Sequence, residues 1–129
     1  MINAAIVGMG RWGQTLVNSV AGDNDAIRFT AGTTRTLSKV EDYAAENDIR
    51  LHATYDDVLA DTDVDAVVLA SPHSVHFEQI MAAADAGKHV FCEKPFCLSA
   101  DHARTALDAL AAKGLTVGIG HNRRLSPNA

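Results

Sequence analysis

The feature that most constrains this chain is a rhythm. Short apolar runs alternate with longer segments whose apolar residues recur at helical spacing. INAAIV (2–7), IRFTAGT (27–33), LHATY (51–55), DAVVLA (65–70), HVFC (89–92) and LTVGIG (115–120) read as six strands. Segments 11–22, 36–48, 74–87 and 99–114 read as helices, with a short helical turn over DDVLAD (56–61). Trp12, Leu16 and Val20 share a face of the first helix, and Leu37, Val40, Tyr43 and Ala44 a face of the second. Phe77, Ile80, Met81 and Ala84 point inward from the third, and Ala103, Ala106, Leu107 and Leu110 from the fourth. Ser74 and Ser99 are the expected N-caps, while Gly22, Gly87 and Gly114 mark helix ends. Strands that are apolar on both faces and separated by helices form a parallel sheet covered on both sides. A doubly wound, mostly parallel α/β sheet is therefore expected, and 129 residues make it a single domain.

The first strand ends in Gly8-Met9-Gly10-Arg11-Trp12-Gly13, a G-x-G-x-x-G that opens the first helix. Gly8 allows the tight turn, Gly10 lets the backbone approach a pyrophosphate, and Gly13 lets helix and strand pack closely. The helix N-terminus adds free N–H donors and partial positive charge. In this strand–turn–helix setting the motif predicts a Rossmann-type dinucleotide-binding fold, with Arg11 able to assist at the phosphates. An NAD site usually carries Asp or Glu about 20 residues further on, at the ribose 2′-hydroxyl. Here the second strand runs out at Thr33-Thr34-Arg35. A hydroxyl can donate to a 2′-phosphate and an arginine can pair with it bidentately, so Thr34 and Arg35 favour NADP, with NAD the alternative. Arg35 as a plain solvated charge is the competing reading.

Composition narrows the remainder. A net charge of −5 argues against a nucleic-acid partner, which would need clustered Lys and Arg. No stretch has the apolar length of a membrane helix. The start MINAAIVGMG lacks a basic region and a cleavage site, and is read as mature sequence. Cys92 and Cys97 lack CxxC spacing and a second pair for zinc, and His52, His89 and His102 lie on separate elements, so no metal is expected. A reduced, cytoplasmic protein fits these features.

In a parallel sheet, ligands bind beyond the carboxyl ends of the strands. Ser71-Pro72-His73, Glu93-Lys94-Pro95 and His121-Asn122-Arg123 close strands four, five and six, and so fall on the rim that carries the glycine loop. Lys94 can be an edge-strand ending, a surface salt-bridge partner, or a general acid/base. Its place on the cofactor rim favours the last. Pro95 behind it removes a backbone N–H and stiffens the turn.

AGKHVFCEKP, ASPHSVH and GHNRR resemble, in order and spacing, motifs of the glucose–fructose oxidoreductase / inositol dehydrogenase family, often called Gfo/Idh/MocA. TTRTLSKVEDYA is similar to its NADP-preferring members. The resemblance covers essentially the whole chain, and EKP behind AGKHV is its most specific element. It implies that Lys94 hydrogen-bonds the substrate hydroxyl or carbonyl beside the nicotinamide and carries the proton, with a pKa lowered by desolvation and the cationic ring. Glu93 opposes that shift and orients the loop. His76 matches the family's histidine after the fourth strand, where it either touches the nicotinamide region or caps and packs. His73 stands where the family often has Asn. Asn122 and Arg123 complete the cofactor-binding set.

Family members continue into a larger α/β domain that supplies most substrate contacts and the oligomer interface. The chain stops at GHNRRLSPNA. The expectation is thus the nucleotide domain of a homo-oligomeric oxidoreductase that moves hydride between NADP(H) and a sugar-like or cyclic polyol, this portion alone being inactive. The alternatives are a free-standing, non-catalytic dinucleotide-binding module, or a family member that uses the nicotinamide for redox-assisted glycosidic cleavage.

Overall fold

The structure is a computed structural model and describes residues 1–20, 26–93 and 99–120. Among the described residues six strands form one sheet: β1 (Ile2–Val7), β2 (Ile27–Thr33), β3 (Arg50–Leu51), β4 (Ala66–Leu69), β5 (His89–Glu93) and β6 (Val117–Gly120). Their order is β3-β2-β1-β4-β5-β6, and every pairing is parallel. The described α-helices that connect them are α1 (Arg11–Ser19), α2 (Glu41–Glu46), α3 (Tyr55–Ala60), α4 (His76–Asp85) and α5 (Ala100–Ala112).

Alternation along the strands divides the core in two. Ala4 and Ile6 of β1 and Val68 of β4 face Val17 of α1 and Ala44 of α2. Ala5 and Val7, Val67 and Leu69, and Val90 and Cys92 face Val58 of α3, Ile80, Ala83 and Ala84 of α4, and Ala106 and Leu110 of α5. This is the doubly wound sheet that the sequence predicts. The order of strands reverses between β1 and β4, which opens a crevice above their carboxyl ends.

A bulge in β2 phases its tip. Ala4 pairs with Phe29 but Ala5 pairs with Ala31, leaving Thr30 as the extra residue. Phe29 therefore packs on the α1 side while Ala31 packs on the other, although they are two residues apart. The Thr30 hydroxyl is buried and has no hydrogen-bond partner among the described residues.

Several local expectations are corrected. β3 covers only Arg50–Leu51, because Thr54 accepts a hydrogen bond from the Asp57 N–H at 3.1 Å and caps α3, which starts at Tyr55. Segment 36–48 is a 3₁₀ turn (Leu37–Lys39) followed by the short α2; Thr36 gives no side-chain cap and the first turn tightens. Ser74 does not cap α4. It lies inside a second 3₁₀ turn (His73–Val75), and Val75 occupies the cap position without a side-chain bond. Ser99 does cap α5, accepting from the His102 N–H at 3.1 Å. Leu107 is 38% exposed and Trp12 40%, so neither belongs to the core; Gly13 and Val17 form the buried face of α1. Gly22 lies outside the described residues.

The β3 edge is pinned by charge. Asp61, just after α3, takes hydrogen bonds from Arg50, His52 and the Asp63 N–H, and its carboxyl is lowered to about 2, chiefly by the Arg50 guanidinium. A depressed carboxyl pKa contributes stability that is full above the unfolded value of about 3.9 and is lost as pH falls through the folded value. Acid unfolding should therefore show a loss between about pH 4 and pH 2 that Asp61→Asn removes. A wild-type curve superimposable on the variant's would show that the pair contributes nothing. Nearby, the buried Lys88 ammonium donates to the Asp61 and Val64 carbonyls at 3.0 and 2.6 Å, tying the α3–β4 turn to the start of β5.

Candidate functional site: the crevice above β1 and β4

The three glycines of the loop are present for different reasons. Gly8 sits at φ +96, and a Cβ there would lie 2.7 Å from the Ala70 carbonyl oxygen of the neighbouring strand end. A Cβ on Gly13 would lie 1.9 Å from the Gly8 carbonyl oxygen, so helix and loop touch backbone to backbone. At Gly10 a Cβ would meet nothing within 4 Å. No protein packing requires glycine there, and the open space lies where α1 begins. α1 has no side-chain cap and no acidic residue in its first turn. Its leading N–H groups are thus left to a ligand, and the helix dipole favours an anion.

Met9 turns its side chain away from the cleft. Its side chain is 1% exposed and packs under the loop, where a Cβ on Gly32 would come 3.0 Å from its sulfur. Its N–H donates to the Thr34 hydroxyl at 3.1 Å, and its carbonyl accepts from the Gln14 side-chain amide at 3.1 Å. The Gly8 N–H donates to the Thr33 carbonyl at 2.9 Å. The tip of β2 thereby holds the glycine loop directly, and the bulge at Thr30 brings Gly32 and Thr34 to the side where they can do so.

A cleft of about 470 Å³ opens beside this loop. Gly8 and Gly10, Thr34 and Arg35, and Ser71 and Pro72 line it, as the sequence implied. The described residues lining it include no carboxylate. Ala53, Thr54, Tyr55, Val75 and Gln79 also line it and were missed. Reading 51–55 as strand placed the rim one turn too late; the capping pattern Thr54-x-x-Asp57 was the available signal. Gln79 organises this side. Its side-chain carbonyl accepts from the Ser71 hydroxyl, and its backbone carbonyl accepts from the Tyr55 hydroxyl at 2.6 Å. Burial pushes the Tyr55 pKa up, so the ring remains a neutral donor.

The other expected residues lie elsewhere. The Arg11 and Trp12 side chains are exposed and do not line the cleft, although their N–H groups are the leading donors of α1. Gly13 is buried by packing. His73 lies in the 3₁₀ turn before α4. His76 is fully buried and does not reach the cleft; both ring nitrogens are engaged, at Ser71 and Cys92. Glu93 closes β5 opposite Gly120. Lys94, Pro95, Cys97, Asn122 and Arg123 lie outside the described residues. No described helix is long and apolar enough to cross a membrane.

This arrangement agrees with known proteins. The model of the Gfo/Idh/MocA family, described as an oxidoreductase family with an NAD-binding Rossmann fold, matches residues 2–121. An uncharacterized oxidoreductase of Bacillus subtilis, YrbE, is 35% identical over 128 residues, 98% of this chain and 37% of that protein. Inositol 2-dehydrogenase of Rhizobium meliloti is 32% identical over 127 residues, 98% of this chain and 38% of the enzyme. The crystal structure of scyllo-inositol dehydrogenase from Lactobacillus casei, with bound NAD(H) and scyllo-inositol, superposes with a TM-score of 0.88 at 29% identity, covering 98% of this chain and 38% of that one. The chain thus spans just over a third of the length of these relatives. Taken with the glycine loop and the crevice, the match over residues 2–121 places it in the Gfo/Idh/MocA oxidoreductases, as their NAD-binding Rossmann domain.

Proposed function

We propose that the crevice holds NADP(H), and that the domain serves an oxidoreductase moving hydride between this cofactor and a carbon of a sugar-like or cyclic polyol. The observation that carries the cofactor reading is the joint presence of Gly10, Thr34 and Arg35 in one cleft whose described lining has no carboxylate. The Thr34 hydroxyl accepts the Met9 N–H, so its own hydrogen is free to be given to a phosphate oxygen. The exposed Arg35 guanidinium beside it can pair with two such oxygens. Loop and helix N-terminus hold the pyrophosphate, which places the adenosine half over β1–β3 and the nicotinamide half over β4 and β5.

The bound nicotinamide supplies the hydride donor or acceptor. The chain's own part is to orient the two halves and to hold a proton carrier, the role assigned to Lys94, which directly follows Glu93. A polyol substrate is supported by relatives whose names state inositol dehydrogenation. Most substrate contacts, and the oligomer interface, are assigned to a second domain.

Cofactor choice is the direct test. NADPH should bind more tightly than NADH by about 1–3 kcal/mol, the scale of charge-assisted hydrogen bonds. Arg35→Ala should erase most of that gap in calorimetric titrations while leaving NADH affinity almost unchanged. Equal affinities in the wild type would make Arg35 a solvated bystander and return the site to NAD.

A further inference from the structure

Between cleft and core lies a polar link that the cofactor reading does not use. His76, the first residue of α4, is fully buried. Its Nε2 lies 2.9 Å from the Ser71 carbonyl oxygen, two residues beyond the end of β4. Its Nδ1 lies 3.2 Å from the Cys92 sulfur, in the last β4–β5 pair, where Cys92 stands opposite Leu69. A carbonyl oxygen can only accept, so Nε2 carries the ring hydrogen. In the neutral ring Nδ1 then accepts from the Cys92 thiol, which has the Glu93 carbonyl as a second, longer acceptor at 3.4 Å.

We propose that His76 is a positioning residue for the nicotinamide half of the site: it ties the carboxyl end of β4 to that of β5 and so fixes the floor on which that half rests. This rests on the cofactor reading above. Three observations support it. The two strand ends joined are those over which the second mononucleotide half lies, because the adenosine half is taken up by β1–β3. Ser71, held through its carbonyl by His76 and through its hydroxyl by Gln79, lines the β4 side of the cleft, across β1 from Thr34 and Arg35, so a shift in the tie moves the side away from the 2′-phosphate contacts. Finally, an apolar side chain would fill the same volume, whereas a ring bonded at both nitrogens fixes the separation and angle of its partners. Buried polar groups left half-satisfied are costly, so the tie has one preferred geometry.

The test compares two ligands on the full-length protein by calorimetry: NADPH, which spans both halves, and 2′,5′-ADP, which carries only the adenosine half. His76→Gln retains a donor for Ser71 and loses the link to Cys92. Cys92→Ala loses the link with a much smaller change in volume, and remains informative if the histidine variant does not fold. Each should weaken NADPH about tenfold and leave 2′,5′-ADP within about twofold of wild type. Cys92→Ser, which restores a donor to Nδ1, should recover most of the NADPH affinity. A purely structural role predicts a different pattern: a buried hydroxyl costs at least as much as the alanine, and both ligands weaken together. Equal weakening of the two ligands, or Cys92→Ser no better than Cys92→Ala, would overturn the proposal while leaving the cofactor reading intact. Absence of wild-type binding to NADPH and NADH alike would instead remove the cofactor reading, and this inference with it.

Discussion

Gly13→Ala is expected to abolish measurable NADPH binding and to cost about 3 kcal/mol of stability, the upper end of overpacking penalties. The added methyl would sit 1.9 Å from the Gly8 carbonyl oxygen. That neighbour is backbone, held in turn by the hydrogen bond between the Gly8 N–H and Thr33 and by the close approach of Gly8 to Ala70, so it cannot swing aside. Loop and helix must separate, which displaces the N–H groups that would hold the pyrophosphate. Urea unfolding and calorimetric titration read the two losses separately. A variant with wild-type stability would mean that α1 packs further from β1 than the structure shows.

The second large effect concerns Lys94. In the full-length enzyme, Lys94→Ala should lower kcat by about 10²–10⁴, the usual contribution of a general acid/base, while NADPH affinity stays within about threefold of wild type. The reasoning is positional: loop and β2 tip hold the phosphates, whereas the end of β5 lies in the half assigned to the nicotinamide. Steady-state rates in a panel of polyols and sugars with NADP⁺, beside a cofactor titration, check both parts. Unimpaired turnover would return Lys94 to a surface salt-bridge role.

Much of this was legible because the signals were redundant. Strand periodicity, the helix stripes and the glycine loop each demanded a doubly wound sheet, and an error in one element left the others standing. β3 shows the limit. LHATY has strand composition, yet Thr54 captures the Asp57 amide and turns the chain into α3. A local cap outweighed a weak β preference, and with it went Ala53, Thr54 and Tyr55 as cleft residues. The placing of Met9 and His76 was not legible for another reason. Both lie in stretches of functional sequence, but the residue that faces a ligand is set by three-dimensional packing. Met9 is drawn under the loop because Gly32 leaves room for its sulfur, and only the bulge at Thr30 puts Gly32 there. His76 is turned inward by partners 5 and 16 residues away, a distance no helical or strand period reports. Trp12 shows the reverse: a large apolar residue at helical spacing stays 40% exposed because the smallest residue, Gly13, makes the close contact with the Gly8 loop.

Binding of a nicotinamide dinucleotide in the crevice through the glycine loop is isolated by Gly10. Unlike Gly13, Gly10 has open space around its missing side chain, so Gly10→Asp should fold with wild-type stability. Its carboxylate would nevertheless stand in the path of the pyrophosphate and repel it. Calorimetric titration of wild type and Gly10→Asp with NADPH, alongside matched thermal unfolding curves, is the most direct measurement. Saturable binding is expected of the wild type, and its loss in a variant that melts at the same temperature. Equal binding by both proteins, or no heat from the wild type with either NADPH or NADH, would contradict it.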